Sequence, residues 1–171
     1  MSQPEQRISV LIVDDHPLMR EALAAALEGE PDLYVCGIAG NGQQALHQYT
    51  ELHPHVVIMD LMMPVRDGIS AITDILRFDP GARILVLTSA GGDERIVQAM
   101  AAGALGYLLK DAERPQILAG IRRVAEGDIY LPAEATSKLV RALQRGAGDA
   151  GGAAAAGTAA DILSRRQYNV L

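Results

Sequence analysis

Five short runs of continuous apolar, largely β-branched residues recur along the first 130 positions: ISVLIV (8–13), LYVCGI (33–38), VVIMD (56–60), RILVLT (83–88) and LGYLL (105–109). Runs of this length, apolar throughout and bounded by turn residues, predict strands buried on both faces. Between them the apolar positions follow helical spacing. Pro17 stands where a first helical residue would, Leu18, Leu23 and Leu27 follow as one face, and Gly29 marks the stop. Ala45, Leu46 and Tyr49 mark a second helix, and Ile69, Ile72, Ile75 and Leu76 a third with Asp67 as its cap. Ile96, Val97 and Met100, closed by Gly103, mark a fourth; Ile117, Leu118, Ile121, Val124 and Ala125, closed by Gly127, mark a fifth. Strand followed by helix, five times over, predicts an α/β fold: a doubly wound, five-stranded parallel sheet with right-handed crossovers.

After residue 130 the pattern changes. Residues 133–145 predict one more amphipathic helix, with Leu139, Val140 and Leu143 on its apolar side. Residues 146–160 are Gly/Ala-rich and read as a linker. In DILSRRQYNVL (161–171), Ser164 and Gln167 form an S-x-x-Q capping box before a helical stretch that stops with the chain. Three segments are expected: 1–130 as the main domain, 131–160 as linker helix and linker, and 161–171 as the truncated start of a further domain.

The length of 171 residues and an apolar share of 49% fit one globular domain with a short appendage. The single cysteine, Cys36, rules out an internal disulfide and makes a cysteine-based zinc site improbable. It also fits a reducing, cytoplasmic setting. No run approaches the ~18 apolar residues of a membrane span, and MSQPEQR lacks the plan of a secretory signal. Net charge is 15 − 21 = −6, divided between 10 − 18 = −8 over residues 1–130 and 5 − 3 = +2 over residues 131–171. The acidic body argues against broad nucleic-acid binding by that part.

Ligands of open parallel sheets bind beyond the carboxyl ends of the strands. Those ends carry Asp14 and Asp15, Asp60, Thr88, and Lys110. They meet in one crevice if the sheet has the flavodoxin-like order 2-1-3-4-5. At an effective dielectric near 20, two such carboxylates ~4 Å apart repel by about 4 kcal/mol. A hard divalent cation such as Mg²⁺ compensates, and Lys110 neutralises a further charge. Carboxylates, one lysine and one hydroxyl around a metal suit phosphoryl transfer, in which a carboxylate is an accepted nucleophile.

VDDH (13–16), DLMMPVRDG (60–68), LTS (87–89) and GYLLK (106–110) stand in this order. Over residues 7–127 the chain resembles the receiver domain of a two-component response regulator. The resemblance implies that Asp60 is the phosphoacceptor for a sensor histidine kinase. It implies that Asp15, Asp60 and the backbone carbonyl of Met62 hold Mg²⁺, with Asp14 acting largely through water. Lys110 would pair with the phosphoryl group, Thr88 would move to hydrogen-bond it, and Tyr107 would switch rotamer. Pro64 and Gly68 would shape the loop after Asp60, and Met62 and Ala90 would tune the phosphorylated lifetime. Residues 161–171 are similar to the opening of a LuxR-type helix-turn-helix domain, with Arg165 and Arg166 in place and Tyr168 departing from the usual charged residue. The whole resembles a LuxR/NarL-class transcription regulator that lacks its DNA-reading helices. A homodimer on phosphorylation is expected, with DNA bound only through the missing domain, and no enzymatic activity beyond the protein's own phosphorylation and dephosphorylation.

Other readings of the same residues stay open here. A degenerate receiver would serve as a dimerisation module. A phosphoaspartyl hydrolase of the haloacid dehalogenase type would want a second aspartate where Met62 stands. Gly40-Asn41-Gly42-Gln43-Gln44-Ala45 fits a dinucleotide fingerprint with Asp60 as its ribose acid, but leaves Asp14, Asp15 and Lys110 unexplained. His53 and His55 invite a metal guess without an evident third ligand, and Arg122-Arg123 reads as a solvated helix face.

Overall fold

The computed structural model describes residues 6–89 and 92–150, for 147–150 the backbone alone. Strands β1 (Ile8–Val13), β2 (Leu33–Ala39), β3 (Val56–Met59), β4 (Ile84–Thr88) and β5 (Gly106–Leu109) alternate with helices α1 (Pro17–Glu28), α2 (Gly42–Leu52), α3 (Gly68–Phe78), α4 (Glu94–Ala102) and α5 (Arg114–Ala125); α6 (Ala133–Ala150) follows. All paired strands are parallel, in the order β2-β1-β3-β4-β5. The chain order reverses beside β1, so the loops after β1 and β3 open into one crevice, where such sheets bind ligands.

The strand period of two divides the core. Leu11, Val13, Val57, Met59, Ile84, Val86 and Tyr107 face α2, α3 and α4, where Ala45, Tyr49, Ile72, Ile75, Ile96 and Met100 meet them. Val10, Ile12, Val56, Ile58, Leu85, Leu87 and Leu108 face α1 and α5 through Leu23, Leu27, Ile117, Leu118, Ile121 and Val124. The central strands are therefore buried on both faces. Edge strand β2 departs from that expectation, with Tyr34 and Ile38 exposed. Among the described residues it pairs only with β1, across a register shift that passes over Cys36.

Two helical faces also differ from expectation. Leu18 is 79% exposed while Leu23 and Leu27 are buried. At ~100° per residue the five-residue step from Leu18 to Leu23 turns about 140°, off the buried stripe. On α6 the inward residues are Ala135, Leu139 and Ala142, and Val140 faces solvent. This helix packs along α4, where Asp93 pairs with both Arg145 and Arg141, the latter at 3.6 Å. It runs to Ala150, past the expected end at 145 and into the Gly/Ala-rich stretch. Alanine is the best helix former, so the run continues despite a cost of ~1 kcal/mol at each of Gly146 and Gly148. The remainder of the expected linker, the Ser164–Gln167 capping box and Ala90 lie outside the described residues. Among the described residues no helix is long and apolar enough to cross a membrane.

Candidate functional site

Each site residue is placed by the end of a strand or the turn after it. Asp14 and Asp15 follow β1, Asp60 follows β3, Thr88 ends β4 and Lys110 follows β5. The main chain joins them directly. Asp60 N–H donates to Val13 O at 2.9 Å, and Lys110 N–H to Thr88 O at 2.9 Å. The loop after Asp60 returns to α3 through Gly68, whose N–H donates to Leu61 O at 3.1 Å. A Cβ on Gly68 would lie 2.2 Å from the Asp60 carbonyl oxygen, so only glycine fits there. Asp67 caps α3 by accepting from Ser70 N–H at 2.8 Å, as expected.

Asp60 is 1% exposed and Asp14 2%. Buried carboxylates are costly without partners, and these two share one cation. Lys110 Nζ stands 2.8 Å from Asp14 Oδ2 and 3.0 Å from Asp60 Oδ2. Burial disfavours the ammonium form of Lys110, but hydrogen bonds to Asp14 and Asp60 outweigh it, and the net displacement of its pKa is upward. The other Asp60 oxygen, Oδ1, accepts from Thr88 Oγ1 at 3.1 Å and from the Met62 amide at 3.2 Å. Asp14 Oδ1 accepts from the His16 amide at 2.8 Å.

Sequence reasoning thus named five residues that do converge: Asp14, Asp15, Asp60, Thr88 and Lys110. Met62 joins them through its amide, with its side chain exposed. Tyr107 is buried on β5, paired with Val86 two residues before Thr88, and burial raises its phenol pKa against the opposing charge of Arg95. Pro64 lies in the exposed loop. His16 was missed as a member. Its Nδ1 lies 3.1 Å from Asp14 Oδ1 and 3.0 Å from Asp15 Oδ1, and its one sequence signal was adjacency to the acidic pair.

The donor set fits a hard divalent cation. Asp14, Asp15, His16 and Asp60 each offer one ligand atom, all within 4.8 Å of one another. Asp15 Oδ1 is buried and has no hydrogen-bond partner, although His16 Nδ1 stands 3.0 Å away. An orphaned buried carboxylate oxygen facing other carboxylates is what a bound cation would satisfy.

The remaining candidates have other work. His55 Nδ1 bonds the Ser9 hydroxyl at 2.9 Å, and His53 stacks on Phe78. Gly42 N–H donates to Arg66 O at 3.0 Å, and a Cβ there would lie 2.7 Å from that oxygen, so this glycine serves a loop contact. Arg122 corrects the solvated-face expectation: it bonds Asp32 at 2.9 Å and Glu30 at 2.7 Å.

Comparison with known proteins agrees with this fold. The family model described as response regulator receiver domain matches residues 10–122. The chain is 39% identical to the transcriptional regulatory protein LiaR of Bacillus subtilis, over 80% of this chain and 65% of that protein. It is 42% identical to the chemotaxis protein CheY of Halobacterium salinarum, over 67% of this chain and 94% of that one. Against the nitrate/nitrite response regulator NarL of Escherichia coli the figures are 31%, 82% and 65%. Among solved structures, a LuxR-family two-component response regulator from Aurantimonas sp. SI85-9A1 superposes with a TM-score of 0.76 at 29% identity, covering 80% of this chain and 98% of that one. The chain belongs to the response regulator receiver family, and its relatives include LuxR/NarL-type regulators. It spans 65% and 63% of the length of the Bacillus subtilis regulators LiaR and LnrK.

Proposed function

We propose that this chain is the phosphorylation-controlled part of a transcription regulator: Asp60 accepts a phosphoryl group from the phosphohistidine of a sensor histidine kinase, and the added charge governs a DNA-binding output. The observation that carries this is the setting of Asp60, buried, with Lys110 Nζ at 3.0 Å from one oxygen and Thr88 Oγ1 at 3.1 Å from the other.

In the transfer an Asp60 oxygen attacks phosphorus, the donor's P–N bond breaks, and its electron pair leaves on the imidazole. Lys110 is already aimed at the attacking carboxylate, so it meets the phosphoryl oxygens with little movement, and such positioning is most of what phosphoryl transfer needs. Asp14, Asp15, Asp60 and the Met62 carbonyl would hold Mg²⁺, which when bound supplies charge neutralisation for the incoming phosphate. Thr88 gives up Asp60 Oδ1 for a phosphoryl oxygen, and Tyr107 changes rotamer in the space Thr88 leaves. The phosphoryl group adds about −1.5 to −2 charges, enough to bias a two-state face.

Residues 1–130 act as receiver, 131–160 as connector, and 161–171 as the opening of a helix-turn-helix domain. The phosphorylated form is a homodimer. The haloacid dehalogenase reading gains no support, because Met62 stands where its general acid would be.

Incubation with Mg²⁺ and acetyl phosphate, followed by intact-mass measurement, tests the proposal. A gain of one phosphoryl mass is expected, absent in Asp60→Asn. No gain, or an equal gain in the variant, overturns it.

A further inference from the structure

His16 stands between the acidic pair and Pro17, the first residue of α1. It occupies the cap position of that helix, yet its side chain makes no capping bond. The ring turns instead toward the acids, with Nδ1 at 3.1 Å from Asp14 Oδ1, 3.0 Å from Asp15 Oδ1 and 3.5 Å from Lys110 Nζ. The imidazole is 63% exposed, so burial does not impose this orientation. The backbone does favour it: His16 N–H is anchored on Asp14 Oδ1 at 2.8 Å.

We propose that His16 is a ligand, through Nδ1, of the divalent cation in the acidic crevice, and that it shifts the site's preference from Mg²⁺ toward a first-row transition dication. The inference rests on the reading that a divalent cation binds here. Bonds of ~2.1 Å, usual for imidazole and for carboxylate on small dications, put neighbouring ligands of an octahedron about 3 Å apart. The 3.0 Å separation of Nδ1 from Asp15 Oδ1 matches that edge, while Asp14 Oδ1, at 3.1 Å, is within hydrogen-bond reach of the same nitrogen. Mg²⁺ takes oxygen ligands, whereas imidazole suits transition metals, so a nitrogen donor discriminates between them. Asp15 Oδ1, buried without a hydrogen-bond partner, shares the same edge. The bland alternative is that His16 merely hydrogen-bonds Asp14 and contributes nothing to metal choice.

Pulsed electron paramagnetic resonance on the full chain loaded with Mn²⁺ decides between them. The wild type is expected to show ¹⁴N coupling from a directly bound imidazole, lost in His16→Phe. Calorimetric titration with Co²⁺, Mn²⁺ and Mg²⁺ gives the second readout. The variant is expected to lose about tenfold or more in Co²⁺ and Mn²⁺ affinity, the scale of lost partners at metal sites, with Mg²⁺ affinity nearly unchanged. The wild-type spectrum needs no variant, so a poorly folded His16→Phe leaves the test intact. Mn²⁺ binding without nitrogen coupling, or an equal loss for all three ions, overturns the role of His16 and leaves the carboxylate site standing. Failure of the wild type to bind any of these ions overturns both this inference and the metal reading beneath it.

Discussion

Thr88 Oγ1 donates to Asp60 Oδ1 across 3.1 Å between two fully buried side chains. The bond joins the end of β4 to the turn after β3, and it is the bond Thr88 would give up on turning to a phosphoryl oxygen at Asp60. Thr88→Val keeps the side-chain shape and removes the donor. The Met62 amide still serves Asp60 Oδ1, so the loss is one charge-assisted hydrogen bond, about 1.5–3 kcal/mol. Urea unfolding of the unphosphorylated protein should show that decrease. Acetyl phosphate should still add its phosphoryl mass, because Lys110 and the acids are untouched. Loss of phosphorylation in this variant would move Thr88 from the response to the chemistry.

Gly68→Ala tests whether the turn after Asp60 is as tight as its geometry says. The added methyl meets backbone, with Asp60 O at 2.2 Å and Leu61 Cα at 2.6 Å, so no rotamer relieves it. Overpacking of this kind costs on the order of 3 kcal/mol. The urea midpoint should fall accordingly, and phosphorylation should slow because Asp60 is carried by the displaced strand end. A variant as stable as wild type would show that the loop shifts freely.

The central strands, the parallel order and five of the site residues were legible in the sequence because each is a local signal: an unbroken apolar run, or a charged residue at the end of one. What local pattern does not carry is pairing across distant segments. Arg122 looks like surface charge beside Arg123, yet its partners Glu30 and Asp32 lie some 90 residues earlier, in the turn between α1 and β2. Leu18 shows a second limit. An apolar residue near a helical stripe reads as part of it unless the angular step is counted. His16 shows a third, since adjacency to Asp15 says nothing of which way a ring will turn.

The Arg122–Asp32 pair carries a pH dependence. The hydrogen bond from Arg122 holds the Asp32 carboxyl below its ordinary value, against the opposing effect of burial. A lowered folded-state pKa means stability that is present above the unfolded value of about 3.9 and lost as pH falls through the folded one. Arg122→Leu removes that contribution. The stability difference between wild type and variant, from urea curves at successive pH values, should be constant near neutrality and shrink as pH falls below about 4. Because both side chains are partly exposed, added salt should diminish it. A difference independent of pH would mean that Arg122 acts by packing alone.

Asp93 ties α4 to α6 through Arg141 and Arg145. Its carboxylate is mostly buried and the arginines are exposed, so the latch is worth no more than about 1 kcal/mol. Asp93→Ala should therefore leave global unfolding almost unchanged while the amides of residues 141–145 exchange faster with deuterium. The amides of 133–139 should be less affected, because Ala135 and Leu139 stay packed on the α2–α4 side of the core. If the whole of α6 loses protection together, Asp93 is the hinge that docks the helix rather than a clasp on its last turns.

Val65 is the place where the chain pays for the shape of the site loop. Its φ is 67°, in the left-handed region, and its side chain is 78% exposed. A β-branched residue there carries strain of roughly 1–2 kcal/mol, and asparagine tolerates the conformation far better. The strain lies in the turn where Arg66 N–H reaches back to Pro64 O at 2.7 Å. Val65→Asn should raise the urea midpoint by the equivalent of about 1 kcal/mol, since no packed surface is lost. It should leave the Asp60 phosphorylation rate unchanged if the loop already holds its working shape, and alter that rate if the strain helps the loop move. A drop in stability instead would show that Val65 makes an apolar contact that its exposure conceals.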